Sequence, residues 1–595
     1  MKKQAHSVSI FLVRIVASVV IALLLLPLAS AQELTLEQVL NPDRVIEVSI
    51  EIPKEDWSKL CQQNRDPGKV FQGIIEDPFT YFKGDIVIDG VTTAGVGIRK
   101  KGFIGSLDNQ FPSLKINFSE FGAKSPIDGI DSLTLNNNKQ DSSLVSQFLS
   151  YQLFNAAGVH APRCSFVRLT VNKKYLGIYS NVETIAKPYL RRRFGNDEGN
   201  LYEGTLADFY PQAIDRLEIK TNRKNHDAKK ITKLAKLLAT QDAIAIEEID
   251  RIVDIDNFLK YWTMESLLSF WDGYTNNQNN FWVYDNVAKG KLYFMPWGAD
   301  MAFMQPPFFV PIGQSQSASV YAQSMLANRL IHDESIARKY RETMKWQLAN
   351  TWKEKELIET IDRLEVLLKP HLHQRQSAAP NAMKNVRQFI QGRRDLIENE
   401  LEAWPVKTPP EPRKPMYYVD IGSIKGTLKT KFAERPPQKL AEIGEVKMDI
   451  ELRGKKIALK KAGASIHKPA RGGFLGFGAP PPEPPSTLHL SFSGIREPSG
   501  REITLTIPID SSIMVDRLGT AFEIRGTFAS GEASGGFMPM AGSSVEGSLT
   551  LTKAGKNPGD DVEGQFDVKI VEVHGGFFDR RPPEPPRASS SAPTP

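Results

Sequence analysis

The stretch WDGYTNNQNNFWVYDNVAKGKLYFMPWGADMAF, residues 271–303, decides how the rest of the chain is read. Asp272 stands before an Asn-rich loop. Two aromatic-rich segments follow, FWVY (281–284) and KLYFMPW (291–297), joined across Asp285–Gly290, which predicts a β-hairpin. Asp300 sits just past the second strand. Hard divalent cations take oxygen ligands, and this segment offers carboxylates and amides without a His or a Cys. Asp and Asn are also ordinary loop residues, so the plainer alternative on this pattern alone is a buried hairpin with solvated polar ends.

The surroundings narrow the possibilities. A chain of 595 residues is too long for one core, and roughly two to four domains are expected. With 41% hydrophobic and 24% charged residues it has the composition of a globular protein. A formal charge of +6, with no basic stripe beyond Arg191–Arg193, argues against a nucleic-acid partner. Lys2 and Lys3, the apolar run Ile15–Leu28 and the small residues Ala29-Ser30-Ala31 describe a secretory signal (1–31) cleaved after Ala31. The run falls short of the ~20 apolar residues a span needs, so a secreted mature protein with no stable membrane span is expected. Export permits a disulfide between Cys61 and Cys164. Two cysteines and nine scattered histidines show no zinc-ligand spacing, and GxSxG, HExxH and a Walker lysine loop are absent, which disfavours zinc hydrolases and P-loop ATPases.

Along the chain, VIEVSIEI (from Val45) reads as a strand and Trp57–Cys61 as a short helix. FKGDIVIDG, VGIRKKGF and SLKINF (113–118) continue as extended segments with glycine turns. Ser142–Ala157 predicts an amphipathic helix stopped by Gly158. CSFVRLTV and YLGIYSNVE return to strand around the turn Asn172–Lys174, and 226–270 and 332–402 read as largely helical. Pro-rich text (403–416) forms a semi-rigid linker, after which 417–577 alternates in short strands that predict a small all-β, sandwich-like domain. A Gly-rich insert (469–485) reads as a flexible loop, and the Pro/Ser tail (578–595) as disordered. The expected fold is therefore an α+β body over 40–402 followed by a β domain.

Four blocks in order resemble the spore coat protein H (CotH) kinase family of atypical secreted protein kinases. They are GVGIRKKGF with FPSLKINFSEFG (95–122), the run LTLNNNKQDSS to NVETI (133–185), DIDNFLKYWTMESLLSFWDGYTNNQNNFWVY (254–284) and PWGADMAF (296–303). The resemblance implies an atypical protein-kinase-like body that uses ATP with Mg²⁺ or Mn²⁺ to phosphorylate Ser or Thr of secreted or surface proteins. It implies that Asp272 is the catalytic residue, accepting the proton of the acceptor hydroxyl. Asn280 matches the metal-binding Asn, with Asn277 as competitor five residues after Asp272, and Asp300 matches the metal-binding Asp. Glu183 matches the family's Glu and could steady a lysine or the metal. Arg99 and Lys101 are plausible phosphate contacts.

The chain also departs from the family pattern. Phe111-Pro112-Ser113 stands where the family commonly has a lysine before the serine, so the nucleotide lysine is Lys115, Lys100 or Lys101, or is missing. Gly298 replaces the first Asp of PWDxD, Ser146 stands where an Arg is often found, and the Asp272–Asn280 loop is about three residues long beyond the usual spacing. The competing reading is a pseudokinase, a cell-surface binding or structural protein that uses the same body without catalysis.

Overall fold

The computed structural model describes residues 34–574 apart from 66–76, 225–226, 241–242, 307–315, 415–416, 469–486, 511–513, 516, 530–542 and 556. The expected signal segment, the Gly-rich insert and the C-terminal tail lie outside the described residues. The chain divides into two compact units, one containing Phe79–Pro410 with the residues up to Gln63, the other containing Glu411 and the residues C-terminal to it.

The first unit begins with seven strands, β1 (Val45–Glu51), β2 (Phe82–Ile88), β3 (Val91–Lys101), β4 (Ser113–Asn117), β5 (Ser132–Asn136), β6 (Cys164–Val171) and β7 (Lys174–Val182). They close into a barrel in the order β1-β2-β3-β4-β5-β7-β6, with β1 parallel to β6 and antiparallel to β2. Alternation decides what fills it. Ile46, Val48 and Ile50, then Val96 and Ile98, Leu114 and Ile116, and Val167, Leu169 and Val171 are buried in one cluster. Parity then places Lys100 inward beside Ile98, and Arg99 and Lys101 on the other face.

A second sheet takes the order β11-β10-β8-β9, from β8 (Leu201–Gly204), β9 (Leu217–Ile219), β10 (Phe281–Asn286) and β11 (Lys291–Pro296). β10 and β11 form the expected hairpin, Phe281 opposite Pro296 and Asn286 opposite Lys291. The largest core cluster joins this hairpin to two helices, α1 (Ser146–Ala156) and α2 (Ile255–Leu267), and to the helices Glu334–Asn350, Glu354–Leu368 and Ala379–Glu402. The regions read as helical thus hold helices. One boundary moves: α1 starts at Ser146 rather than Ser142. Asp141 is buried and accepts hydrogen bonds from the backbone and hydroxyl of both Ser143 and Ser146, which holds 141–145 in a capping turn.

Cys61 and Cys164 are both free and buried, so the disulfide that export would permit is not formed. They face different cores, Cys61 the barrel interior and Cys164 the helical cluster beside Phe166. Text read as linker is partly docked: Trp404 and Val406 pack against the helical core, Lys407 O accepts from Ser317 N (2.8 Å), and Pro409 O from Asn328 Nδ2 (2.9 Å).

The second unit is built mainly of strands: among its described residues nine, from β12 (Tyr417–Ala433) to β20 (Asp561–His574), belong to one sheet in which β12 pairs with β13 (Glu445–Leu452), β15 (Leu459–His467) and β20. The β12–β20 pairing closes the sheet around a core of Leu428, Leu490, Ile507, Leu549 and Ile570.

Candidate active site

α2 is capped at its start by Asp254, whose side chain accepts from Asn257 N (3.0 Å), and delivers the chain into the loop that carries Asp272. That loop contains one helical turn, Tyr274–Asn277, and then two left-handed residues, Gln278 (φ +53°) and Asn280 (φ +51°). Left-handed backbone suits Asn better than most residues, and here it turns three amides onto one carboxylate. Asn277 Nδ2 (2.5 Å) and Asn279 Nδ2 (3.1 Å) donate to Asp272 Oδ1, while Asn280 Nδ2 donates to Oδ2 (2.9 Å) and to the Asp272 carbonyl (3.1 Å). The added length of the loop therefore builds a cage around Asp272. Asn276 and Asn279 also brace it, Asn276 through Trp271 O and Gln316, Asn279 Oδ1 through Leu206 N.

Asn280 is the better of the two metal candidates. Both of its amide contacts on the donor side go to Asp272, and its Oδ1 lies beside Gly298, where an added Cβ would come within 2.8 Å of it. The hairpin register and the bond from Trp297 N to Asn280 O (3.0 Å) hold the Gly298–Met301 turn alongside. Gly298 is itself left-handed (φ +52°), so at the place of the first Asp of PWDxD both the backbone and the neighbouring Asn280 favour a residue without a Cβ.

Asp300 is only 8% exposed, and its Oδ2 has a long contact from Asn136 Nδ2 (3.4 Å). Burial pushes its carboxyl up to about 7, and the charges of Asp141 and Asp272 push in the same direction. Asp141 is hydrogen-bonded by Ser143 and Ser146 and Asp272 by its amide cage, so Asp300 is the carboxylate of the three with the fewest donors. Asn136 also donates to Gln147 (3.2 Å), which donates to the buried Tyr151 hydroxyl (3.1 Å), and α1 thereby supports the Asp300 turn.

The basic side comes from β3 and β4. Lys101 is half-buried, its Nζ lies 5.9 Å from the Trp297 ring centroid, and burial pushes its ammonium down to about 8. Asp300 acts on it in the opposite sense, and Lys115 and Arg99 add to the depression, so these charges face one another. Arg99 and Lys115 are cross-strand partners. Lys100 points the other way, donating to Cys61 O (2.8 Å) and Asn109 Oδ1 (2.9 Å) with no exposure, which removes it as a nucleotide lysine. Glu183 is not placed with the lysines: its oxygens take Arg192 (2.6 Å) and the Arg163 backbone N–H (3.0 Å), a structural clamp.

The donor set fits a hard cation. Asp300 is a buried carboxylate opposed by two others, with a long amide contact and its own backbone N–H to offset them, and Asn280 Oδ1 stands nearby. Among the described residues no three His, Cys, Asp or Glu side chains form a metal cluster by themselves. Mg²⁺ commonly takes one or two protein oxygens and completes its shell with phosphate and water.

A family model for the CotH kinase protein matches residues 98–399, just over half of the chain. The chain belongs to this family. Within the CotH kinase domain the matched span contains Arg99, Lys101, Lys115, Glu183, Asp272, Asn277, Asn280 and Asp300. Similar proteins include spore coat protein homolog 1 of Rhizopus delemar, 24% identical over 35% of this chain and 36% of that protein. Invasin CotH3 of the same organism is 24% identical over 33% of this chain and 37% of its own length. Inner spore coat protein H of Bacillus subtilis is 24% identical over 29% of this chain and 50% of its own. The matches thus span from about a third to half of these relatives. Among solved structures, the Helicobacter pylori proinflammatory kinase CtkA is similar with a TM-score of 0.27 and 11% identity, over 50% of this chain and 92% of that one.

Some residues that build the CotH site have no motif to announce them. Asn136 lies in an Asn-Asn-Asn run whose three side chains do different work. Glu265 and Asp208, both buried, hold the loop that carries Asp272 from behind; the visible trace of Glu265 is a lone acid within Met264–Leu268.

Proposed function

We propose that this CotH-family chain is an exported protein kinase that binds ATP with Mg²⁺ or Mn²⁺ and transfers the γ-phosphoryl group to Ser or Thr of a secreted or surface protein. The observation that carries this reading is the convergence of Asp272 and Asp300 from the two ends of one hairpin, with Lys101 facing Asp300. A cation bound at Asp300 and Asn280 would supply the positive charge that a triphosphate requires. Lys101, with Arg99 and Lys115 on the same face, would bind phosphate oxygens. Asp272, fixed by its amide cage, would orient the acceptor hydroxyl and take its proton. The hydroxyl oxygen then bonds to the γ-phosphorus, the bond to the β–γ bridging oxygen breaks, and ADP leaves. The apolar leader and relatives named as spore coat proteins and invasins favour a surface or extracellular setting.

The test is transfer of labelled phosphate from ATP to protein Ser or Thr in Mg²⁺ or Mn²⁺. Wild type should transfer, and Asp272→Ala and Asp300→Ala should lose on the order of a hundredfold or more. Equal background in all three would refute the reading and leave the pseudokinase in its place.

A further inference from the structure

We infer that Glu265 is a positioning residue that, from behind the site, holds the loop bearing Asp272 and Asn280 in its reactive geometry, with Asp208 holding the loop's far end. The inference rests on the kinase reading of Asp272. Glu265 is fully buried on α2. Its Oε1 accepts from Tyr274 N (2.9 Å) and the Tyr261 hydroxyl, and its Oε2 from Thr275 N (2.7 Å) and the Thr275 hydroxyl. Tyr274 and Thr275 begin the single helical turn that follows Asp272. A carboxylate here therefore satisfies two of the backbone donors that a helix start leaves open. Gly273 fits between them because an added Cβ would lie 2.3 Å from Glu265 Oε1.

The other end of the turn is held in the same way. Asp208 is 2% exposed and accepts from Gln278 Nε2 (2.7 Å), the Tyr274 hydroxyl (2.8 Å) and Met325 N (2.7 Å). Tyr274 is thus gripped by its backbone through Glu265 and by its hydroxyl through Asp208. Neither carboxylate has an ion-pair partner among the described residues, and an unpaired buried carboxylate is a costly way to build a core. Its return lies in geometry: a displacement of about 1 Å in a reacting group can cost a hundredfold in rate.

Glu265→Gln separates positioning from packing because it keeps the volume. Each Glu265 oxygen receives one backbone N–H and one hydroxyl. A hydroxyl can rotate and accept from the new amide, but a backbone N–H cannot, so either Tyr274 N or Thr275 N loses its acceptor. Thr275→Val removes one hydroxyl contact from the same oxygen, whereas Thr275→Ser retains it.

The experiment measures transfer rate, thermal midpoint and amide exchange over 273–280 in the full chain. Glu265→Gln should remain folded, exchange faster at Tyr274 and Thr275, and lose about ten- to a hundredfold in kcat. Thr275→Val should fall in the same direction, and Thr275→Ser should stay within about twofold of wild type. Wild-type kcat and unchanged exchange in Glu265→Gln would overturn the inference. The exchange readout needs no activity: a wild-type chain without transfer would refute the kinase reading, and the exchange of Glu265→Gln would still decide whether this carboxylate holds the loop.

Discussion

At Gly298 the backbone is left-handed and the position that a Cβ would take lies 2.8 Å from Asn280 Oδ1. A side chain there carries a conformational cost of about 1–2 kcal/mol, and it also displaces the amide oxygen best placed for a cation. Placing an Asp there, as in the family pattern PWDxD, should therefore weaken this site. Gly298→Asp is expected to lower metal-dependent thermal stabilisation by ATP and to reduce transfer at least tenfold, with Gly298→Ala similarly impaired; a gain in either measurement for the Asp variant would contradict the geometry. The same residue-scale detail explains how far the site was legible in the sequence. Asp272, Asn280 and Asp300 stood out because polar residues interrupt a run of aromatic strands. A lysine able to face a nucleotide did not, because Lys100, Lys101 and Lys115 lie in strands where a one-residue step reverses the face. Only the observed pairing of Arg99 with Lys115 decides which lysines share it. Glu183 read as a residue that could steady a lysine or the metal because its partners Arg163 and Arg192 lie about ten to twenty residues away in sequence, outside the motif that Glu183 closes.

Among the elements, α1 shows how a small error in a boundary hides a structural device. Helical periodicity extends back to Leu144, yet that residue has φ +68° and the helix starts two residues later. Asp141 accounts for the difference by accepting four hydrogen bonds from Ser143 and Ser146, all in a dry environment. α1 then packs beneath the Asp300 turn, with Ser150 Oγ reaching Ala299 O (3.4 Å). Asp141→Ala leaves the buried donors of Ser143 and Ser146 without their acceptor, so it should destabilise the chain by about 1–3 kcal/mol, read as a lower urea midpoint. An unchanged midpoint would show that the turn is held by something else. The strands, helices and hairpin were legible because their periodicities are local. Closure of the barrel was not, because the parallel pairing of β1 with β6 joins Val45 to Phe166 across more than a hundred residues, and alternation within one strand says nothing about its neighbour.

On the scale of the whole molecule, the loop that carries Asp272 is supported by a relay that ends in Pro-rich text read as a linker. Gln323 N and Ser324 N donate to Thr275 O (2.8 and 3.1 Å), and Gln316 Nε2 reaches Asn276. That supporting segment is in turn held from the C-terminal side. Ala318 N and Ser319 N donate to Glu400, Ser317 N to Lys407 O, and Asn328 Nδ2 to Pro409 O. Trp404 stacks 6.5 Å from Tyr340, whose hydroxyl bonds Ser266 and Ser319 O. Among the described residues, the core of the first unit includes Trp404 and Val406, and the β unit has a core of its own. The functional boundary should therefore fall after the docked prolines and not at the end of the last helix. A chain ended at Pro410 is expected to keep the wild-type thermal midpoint of the kinase body and its transfer rate within about threefold, since every contact of the relay survives. A chain ended at Glu402 loses Trp404, Lys407 and Pro409 together, and should melt several degrees lower, at roughly 2–4 °C per kcal/mol for a unit of this size or larger, and lose most of its transfer. Equal behaviour of the two truncations would mean that 403–410 is only a tether; the loss of activity in both would mean that the β unit takes part in the reaction.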